Sequence, residues 1–523
     1  MQGLTFSPSE SLEKVTKIQQ LQTQLRDRWL SVDEFDIEEN DVVVIPSLSL
    51  DQRELLKVTG VHYYEERLLF TIIRLRNPRT RVIYITSQPI HPNVIDYYLQ
   101  LLPGVPFPHA RDRLLLLSTH DSSLKPLTQK ILERPRLLTQ LRQLIRQDKA
   151  YLTCYNSTPL EQELALQLNI PLFALDPNLL YWGTKSGSRE AFGEAAIPYP
   201  DGSALVWTVE ELAQVTVDLW ERQPDLKRIV IKLNEGFSGE GNALLDLRSL
   251  SEFAPNQAST AERVAVIGDR FQSLSFQCDT ETWENFSSRI PELGAIAEAF
   301  IEGEEKRSPS VQGCVNPNGE VEILSTHDQI LGGPDGQIFL GCRFPADGAY
   351  RLALQECGIQ VGKILATKGV LERFSVDFVA VHQPQAAPDY SSQNQWDLQA
   401  IEINIRKGGT THPFMTLKLV TQGKYDHETG LFCNQQGEPK YYVATDNLQN
   451  DAYKGLLPQD LIDIIAQQHL HFNSTTETGS IFHLAGCLSE FGKVGVTSVG
   501  NSPAEAEAIY NRVIQALNEA VLA

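Results

Sequence analysis

The stretch AIEINIRKGGTTHP, residues 400 to 413, limits most tightly how this chain can fold, because Glu402, Asn404 and Arg406 alternate strictly with Ile401, Ile403 and Ile405. Successive side chains of a strand point to opposite faces, so the isoleucines are expected in a core while carboxylate, amide and guanidinium share the other side. Such a row needs a polar partner. RFSVDFVAV, residues 373 to 381, offers one, with Phe374, Val376 and Phe378 on one face and Ser375 and Asp377 on the other. A carboxylate inside an apolar run is costly to desolvate without a cation or donors. Between the two runs lies HQPQAAPDYSSQNQW, residues 382 to 396, a Pro-, Gln- and Ser-rich excursion. It allows the runs to pair antiparallel, with Asp377 beside Glu402 and Asn404.

Residues two apart on a strand are about 6.6 Å apart. That span lets Glu402 and Asn404 hold oxygen-ligated cations about 3.5–4 Å apart against bound phosphates. Oxygen donors without Cys or His favour magnesium over zinc. Arg406, one step further along the same face, has a planar fork suited to a phosphoryl group. Taken alone, the same residues also fit a structural surface network of Asp, Arg and Glu.

The chain has 523 residues, 42% hydrophobic and 21% charged, which is ordinary globular composition with room for about three domains. A formal charge of −21 argues against a nucleic-acid or anionic-membrane binder, since backbone-phosphate affinity comes from concentrated Lys and Arg. The seven cysteines, at 154, 278, 314, 342, 357, 433 and 487, show no C-x-x-C spacing, so neither a disulfide framework nor a zinc site is suggested. The start, MQGLTFSPSESLEK, lacks a cationic segment followed by an apolar core, and no run approaches a membrane span. A soluble, cytoplasmic protein is expected.

Residues 9 to 30 read as an amphipathic helix, and DVVVIPS (41 to 47), RVIYITS (81 to 87) and RLLLLST (113 to 119) as short strands separated by helical patterns such as YYEERLLFTIIRLR. Strands alternating with helices indicate a parallel α/β sheet, extending to about residue 180. In the tail, Ser502 caps a final helix opening with Pro503.

RIVIKLNEGFSGEGNALLDL, 228 to 247, places Lys232 in a strand before a turn with Gly236, Ser238, Gly239 and Gly241. Glycines let backbone N–H groups approach an anion and a strand lysine adds charge, a combination suited to a triphosphate. A plain flexible hairpin fits the same pattern. Lys185, in YWGTKSGSREAF, stands just before a helix start expected at Ser186 or Ser188. A cation is unfavourable there unless an anion accompanies it. AIAEAFIEGEEKRSPSVQG, 295 to 313, could link two lobes, with backbone groups from Glu298 to Ile301 reading an adenine edge; on spacing alone it is a solvated acidic face.

Together these pieces resemble the ATP-grasp superfamily of carboxylate–amine ligases, over about residues 180 to 523. Lys185 and Lys232 match its nucleotide lysines, NEGFSGEGN its phosphate flap, EAFIEG its adenine segment, and Asp377, Glu402 and Asn404 its magnesium ligands. GSREAF, GCRFPADGAY and EINIRKGGTTHPF look like its pheganomycin-type peptide-ligase branch. The resemblance implies an α/β (α+β) ATP-grasp fold in four parts: an N-terminal pre-ATP-grasp domain (1–180), a small lobe with the flap (181–300), a large lobe with the metal site (301–457) and a C-terminal strand–helix unit (458–523). Implied nucleotide contacts also include Glu298, Ala299, Ile301 and Glu305; Gly408, Gly409, Thr410 and Thr411 would meet the substrate. Arg343, Arg406 and His412 are the implied catalytic residues. ATP, two magnesium ions with manganese as a substitute, carboxylate and amine substrates and, at family level only, a homodimer complete the expectation. In several such ligases an arginine lies two positions before the first metal aspartate; here Ser375 stands there, leaving its work to Arg343, Arg373 or Arg406. Two other classes stay open on sequence: a phosphotransferase that stops at a phosphorylated small molecule, and a nucleotide-binding regulator without turnover.

Overall fold

Val42, Val43 and Val44 lie in a strand whose five residues are all buried, as β-branched side chains are when helices cover both faces of a sheet. In a computed structural model of the chain, which describes residues 8–32, 38–50, 55–56, 58–236, 241–276, 281–332, 338–383 and 395–522, that strand is β1 (Asp41–Ile45). It joins β2 (Arg81–Thr86), β3 (Leu114–Ser118) and β4 (Ala150–Cys154) in a parallel sheet of order β3-β2-β1-β4. The amphipathic helix near the N-terminus spans Pro8–Leu30 and is tied to this domain through Lys14–Glu163 at 2.7 Å.

The YYEERLLFTIIRLR pattern forms a helix, but of the tighter 3₁₀ type, Val61–Arg76. Runs of that geometry are ordinarily short, and this one is pinned by buried polar side chains. Glu65 accepts from the Ser87 amide and hydroxyl at 2.5 and 2.6 Å, Glu66 accepts from the Gly486 amide at 3.3 Å, and Arg67 pairs with Asp446.

In the next part of the chain, β5 (Arg228–Leu233), β6 (Asn242–Asp246), β7 (Ser275–Phe276) and β8 (Ala295–Ala299) form an antiparallel sheet of order β7-β6-β5-β8. The helices Val209–Arg222 and Thr260–Arg270 pack on it, each opened by a reciprocal cap, Thr208 with Glu211 and Ser259 with Glu262.

The remaining strands build the main sheet. They are β9 (Lys306–Arg307), β10 (Pro309–Val315), β11 (Val321–Gly332), β12 (Ile338–Phe344), β13 (Glu372–His382), β14 (Trp396–Asn404), and, after a small hairpin of β15 (Lys424–Asp426) with β16 (Leu431–Cys433), β17 (Tyr441–Gln449), β18 (Gly479–His483) and β19 (Lys493–Gly500). Their order is β14-β13-β10-β11-β12-β17-β19-β18, with β9 paired to β13. Residues after 458 thus supply two strands of the sheet that carries Asp377, and the last helix, Pro503–Ala520, is capped by Ser502. One hydrophobic core runs from Val42 and Tyr84 through Phe344 and Tyr442 to Val496 and Leu517, fastening the N-terminal domain to these strands. Among the described residues no helix is long and apolar enough to cross a membrane.

Candidate active site

β13 and β14 pair antiparallel with Asp377 directly opposite Glu402 and Ser375 opposite Asn404. The strict alternation is interrupted once: Phe378 pairs with Ala400, so Ile401 is the extra residue of a β-bulge beside the two carboxylates. Ile403 and Ile405 enter the core, whereas Ile401 is half-buried. A bulge bends its strand and re-aims neighbouring side chains.

Around these strands a charged cluster assembles. Asn404 donates from Nδ2 to Asp377 Oδ2 at 3.0 Å, and Gln329 of β11 donates to Asp377 Oδ1 at 2.7 Å. Lys185 reaches Glu402 at 2.5 Å. Lost hydration, and then the facing Glu402, push the Asp377 carboxyl up to about 7 against the pull of Lys185 and Arg406. For Glu402 lost hydration acts upward too, but Lys185, and after it Arg406 and Lys232, hold it below the usual carboxylate range. Two carboxylates facing each other across a ladder repel unless cations lie between or beside them. The cluster therefore has the charge and the oxygen donors to take a hard cation.

Lys185 is fixed from several sides. It opens the helix Lys185–Glu194, which Thr184 caps by accepting from the Gly187 amide at 3.1 Å. Its own amide donates to the Asn234 carbonyl at 3.0 Å, and the Asn234 side chain accepts from the Ser186 amide at 2.9 Å. The Ile403 amide donates to Ser188 Oγ at 2.9 Å, joining this helix to β14. Gly187 is required by close approach: a Cβ there would lie 2.0 Å from the Tyr181 carbonyl oxygen. The cation that is unfavourable at a helix N-terminus is thus compensated by Glu402. On β5, Lys232 is buried and contacts Glu298, which Arg189 also meets at 3.2 Å.

The family models that match are "IQCH-like, ATP-grasp", over residues 178–267 and 257–428, and "PGM1 C-terminal domain", over residues 460–513. An L-propargylglycine–L-glutamate ligase of Streptantibioticus cattleyicolor is 28% identical over 483 residues, covering 91% of this chain and 93% of its own. The chain has the ATP-grasp fold. A second relative, IQ motif-containing protein H of Danio rerio, is 24% identical over 74% of this chain, which spans 39% of that larger protein. Among solved structures, a biotin carboxylase from Campylobacter jejuni in complex with βγ-ATP shares the fold at TM-score 0.52 and 11% identity, over 91% of this chain and 90% of that one.

In this ATP-grasp chain, then, Lys185, Asp377, Glu402, Asn404 and Arg406 are brought together, with Lys232 close enough to act on Glu402. Gly236 and Gly241 face each other at the base of the flap; Ser238 and Gly239 lie outside the described residues. The amides of Ala299 and Phe300 donate to the Asp201 and Arg228 carbonyls at 2.9 and 3.2 Å, and the Ile301 carbonyl accepts from Lys306 at 3.3 Å. Glu298 turns its carboxylate to Lys232 and Arg189, while Glu305 is exposed beside Arg307 and His382.

Arg343 is not brought to the cluster. It pairs in register with Asp328, the neighbour of Gln329, so it points to the face away from Asp377. It is exposed there and paired with Glu507 at 3.1 Å. The expected GGTTHP turn is only part turn, because the helix Thr411–Thr421 begins inside it. Gly408 has open space where a Cβ would lie and its amide donates to Thr411 Oγ1 at 2.9 Å; Gly409 backs onto Phe339, and Thr410 and Thr411 are buried. His412 is buried too, turned toward Asp446 and His483, and burial lowers its ring to about 4.

Sequence reading missed Gln329, Asn234, Arg189 and Lys407. Each acts through tertiary contacts, Lys407 by pairing with Glu372 at 2.8 Å and donating to the Cys154 carbonyl at 2.8 Å. Arg189 in GSREAF, Asn234 in NEGFSGEGN and Lys407 in EINIRKGGTTHPF lay inside the quoted motifs, whereas Gln329 had no local signal.

Proposed function

We propose that the chain is an ATP-dependent ligase that activates a carboxylate as an acyl phosphate, releasing ADP, and then joins it to an amine with loss of phosphate. The single observation that carries this reading is the opposed pair Asp377 and Glu402 with Lys185 held against it, in a chain aligned over nine-tenths of its length with a ligase. Asp377, Glu402 and Asn404 would hold magnesium, two ions in all, with Gln329 and Asn404 donating to the Asp377 oxygens. When bound, magnesium neutralises the nucleotide tail and the transferred phosphoryl group.

The chain's own groups do the rest. Lys185 and Lys232, now on Glu402 and Glu298, exchange those partners for phosphate oxygens and orient them for in-line attack. Arg406, placed to lower both metal-site carboxylates, grips the transferred phosphoryl group and later the tetrahedral oxyanion, the role left vacant by Ser375 and out of reach of Arg343. Gly408 presents backbone to the open side of the loop. The first relative's name gives two α-amino acids, so amino acids or short peptides are the proposed carboxylate and amine.

Hydroxylamine trapping tests this directly. With ATP, magnesium and the right amino acid, the ligase forms ADP and a hydroxamate. A stable phosphate ester in place of the hydroxamate would make the protein a phosphotransferase, and neither product across an amino-acid and dipeptide panel would make it a binder.

A further inference from the structure

A second polar cluster lies on the same sheet and has no part in the proposed chemistry. His412 from the helix after the GGTT loop, Asp446 from β17 and His483 from β18 are each no more than 4% exposed. Their ligand atoms form a nearly equilateral triangle. The two Nε2 atoms are 2.9 Å apart, and each lies 2.8 or 2.7 Å from Asp446 Oδ1.

Hydrogen bonds alone do not satisfy this triangle. A ring nitrogen offers either one N–H or one lone pair, in the ring plane. If both rings donate to Asp446, two donors face each other at 2.9 Å; if one ring is reversed, its lone pair faces the carboxylate oxygen at 2.7 or 2.8 Å. A cation against all three atoms removes the conflict. With metal–nitrogen distances of about 2.0–2.1 Å, neighbouring ligands lie about 3.3–3.4 Å apart in a tetrahedron and about 2.9 Å apart on an octahedral face. The observed edges match the octahedral face.

We infer that His412, Asp446 and His483 form a facial site for one divalent transition ion. Two imidazoles and one carboxylate select zinc, iron or cobalt over magnesium. The other carboxylate oxygen is already oriented: Arg67 donates to Asp446 Oδ2 from Nε at 2.8 Å and from Nη2, and gives Nη1 to the Tyr155 hydroxyl at 2.7 Å. Such outer donors fix ligating carboxylates. The ion braces the helix that follows the GGTT loop against β17, β18 and, through Arg67, the N-terminal domain.

The test uses cobalt(II) and zinc(II) with the full chain after chelator treatment. Expected are about one equivalent bound per chain with visible cobalt absorption from nitrogen and oxygen ligation, and a zinc-dependent rise in Tm. Asp377→Asn keeps the cobalt bands, separating this site from the proposed magnesium site, and His483→Ala loses them. Absence of bands and of a Tm rise in the wild-type chain overturns the inference without reliance on how any variant folds; bands lost in Asp377→Asn but kept in His483→Ala overturn it as well.

Discussion

Two polar clusters, one half-buried and one buried, sit on one sheet and differ in how their charge is balanced. At Asp377 and Glu402 carboxylates face each other, and lost hydration with the facing Glu402 pushes Asp377 up to about 7. At Asp446 a single carboxylate, lost hydration notwithstanding, is held far below the usual range by Arg67 and His412. The first cluster sets two carboxylates against each other and gains from a bound cation. The second is tied into the fold through the 3₁₀ helix, β17 and β18. Facing like charges mark the first cluster, and a charge paired across distant segments marks the second.

If that contrast holds, substitutions at the two clusters separate activity from stability. Glu402→Gln or Asp377→Asn should lower kcat by about 10²–10³-fold or more with little change in Tm, as expected when a transition-state contact is lost; full ADP formation by either variant breaks the comparison. Arg67→Ala should cost about 3–5 kcal/mol by denaturant titration, because it leaves Asp446 buried without its guanidinium. A loss of turnover with unchanged stability would move Arg67 into the first class. Gln329→Ala, which removes the 2.7 Å donor to Asp377, should weaken magnesium activation by about 10–100-fold, the range for a supporting contact to a metal ligand.

The 3₁₀ helix adds a pH signature. Burial carries both Glu65 and Glu66 up to about 7, so between an unfolded value of 4.5 and that pH the folded chain holds protons the unfolded chain has released. Stability should fall as pH rises through this window. Glu66→Gln should flatten the fall in Tm, and an unchanged slope would remove Glu66 from its cause. The smallest effect belongs to Arg343→Ala: its exposed pair with Glu507 is worth less than about 1 kcal/mol, and turnover should stay within about twofold. A defect as large as that of Arg406→Ala would return Arg343 to the reaction.

The first cluster was legible because it is written locally. Alternation in 373 to 381 and 400 to 406 forces Asp377, Glu402, Asn404 and Arg406 onto one face wherever those strands pair. The bulge at Ile401 was not legible, since it depends on how β13 and β14 meet. Nor was the second cluster: residues 67, 412, 446 and 483 share no spacing, and His412 looked like a loop residue until the helix began at Thr411.

What the sequence determined alone was the period of its strands and helices and the side each chemical group would take, because both follow from backbone geometry within a few residues. Which face Arg343 occupies relative to Asp377, that the last strands complete the sheet carrying Asp377, and that Arg67 meets the aspartate shared by two histidines were decided only in the folded chain. Those outcomes depend on strand order and register across hundreds of residues, and the energy that selects them comes from burial shared by segments with no local relation to one another.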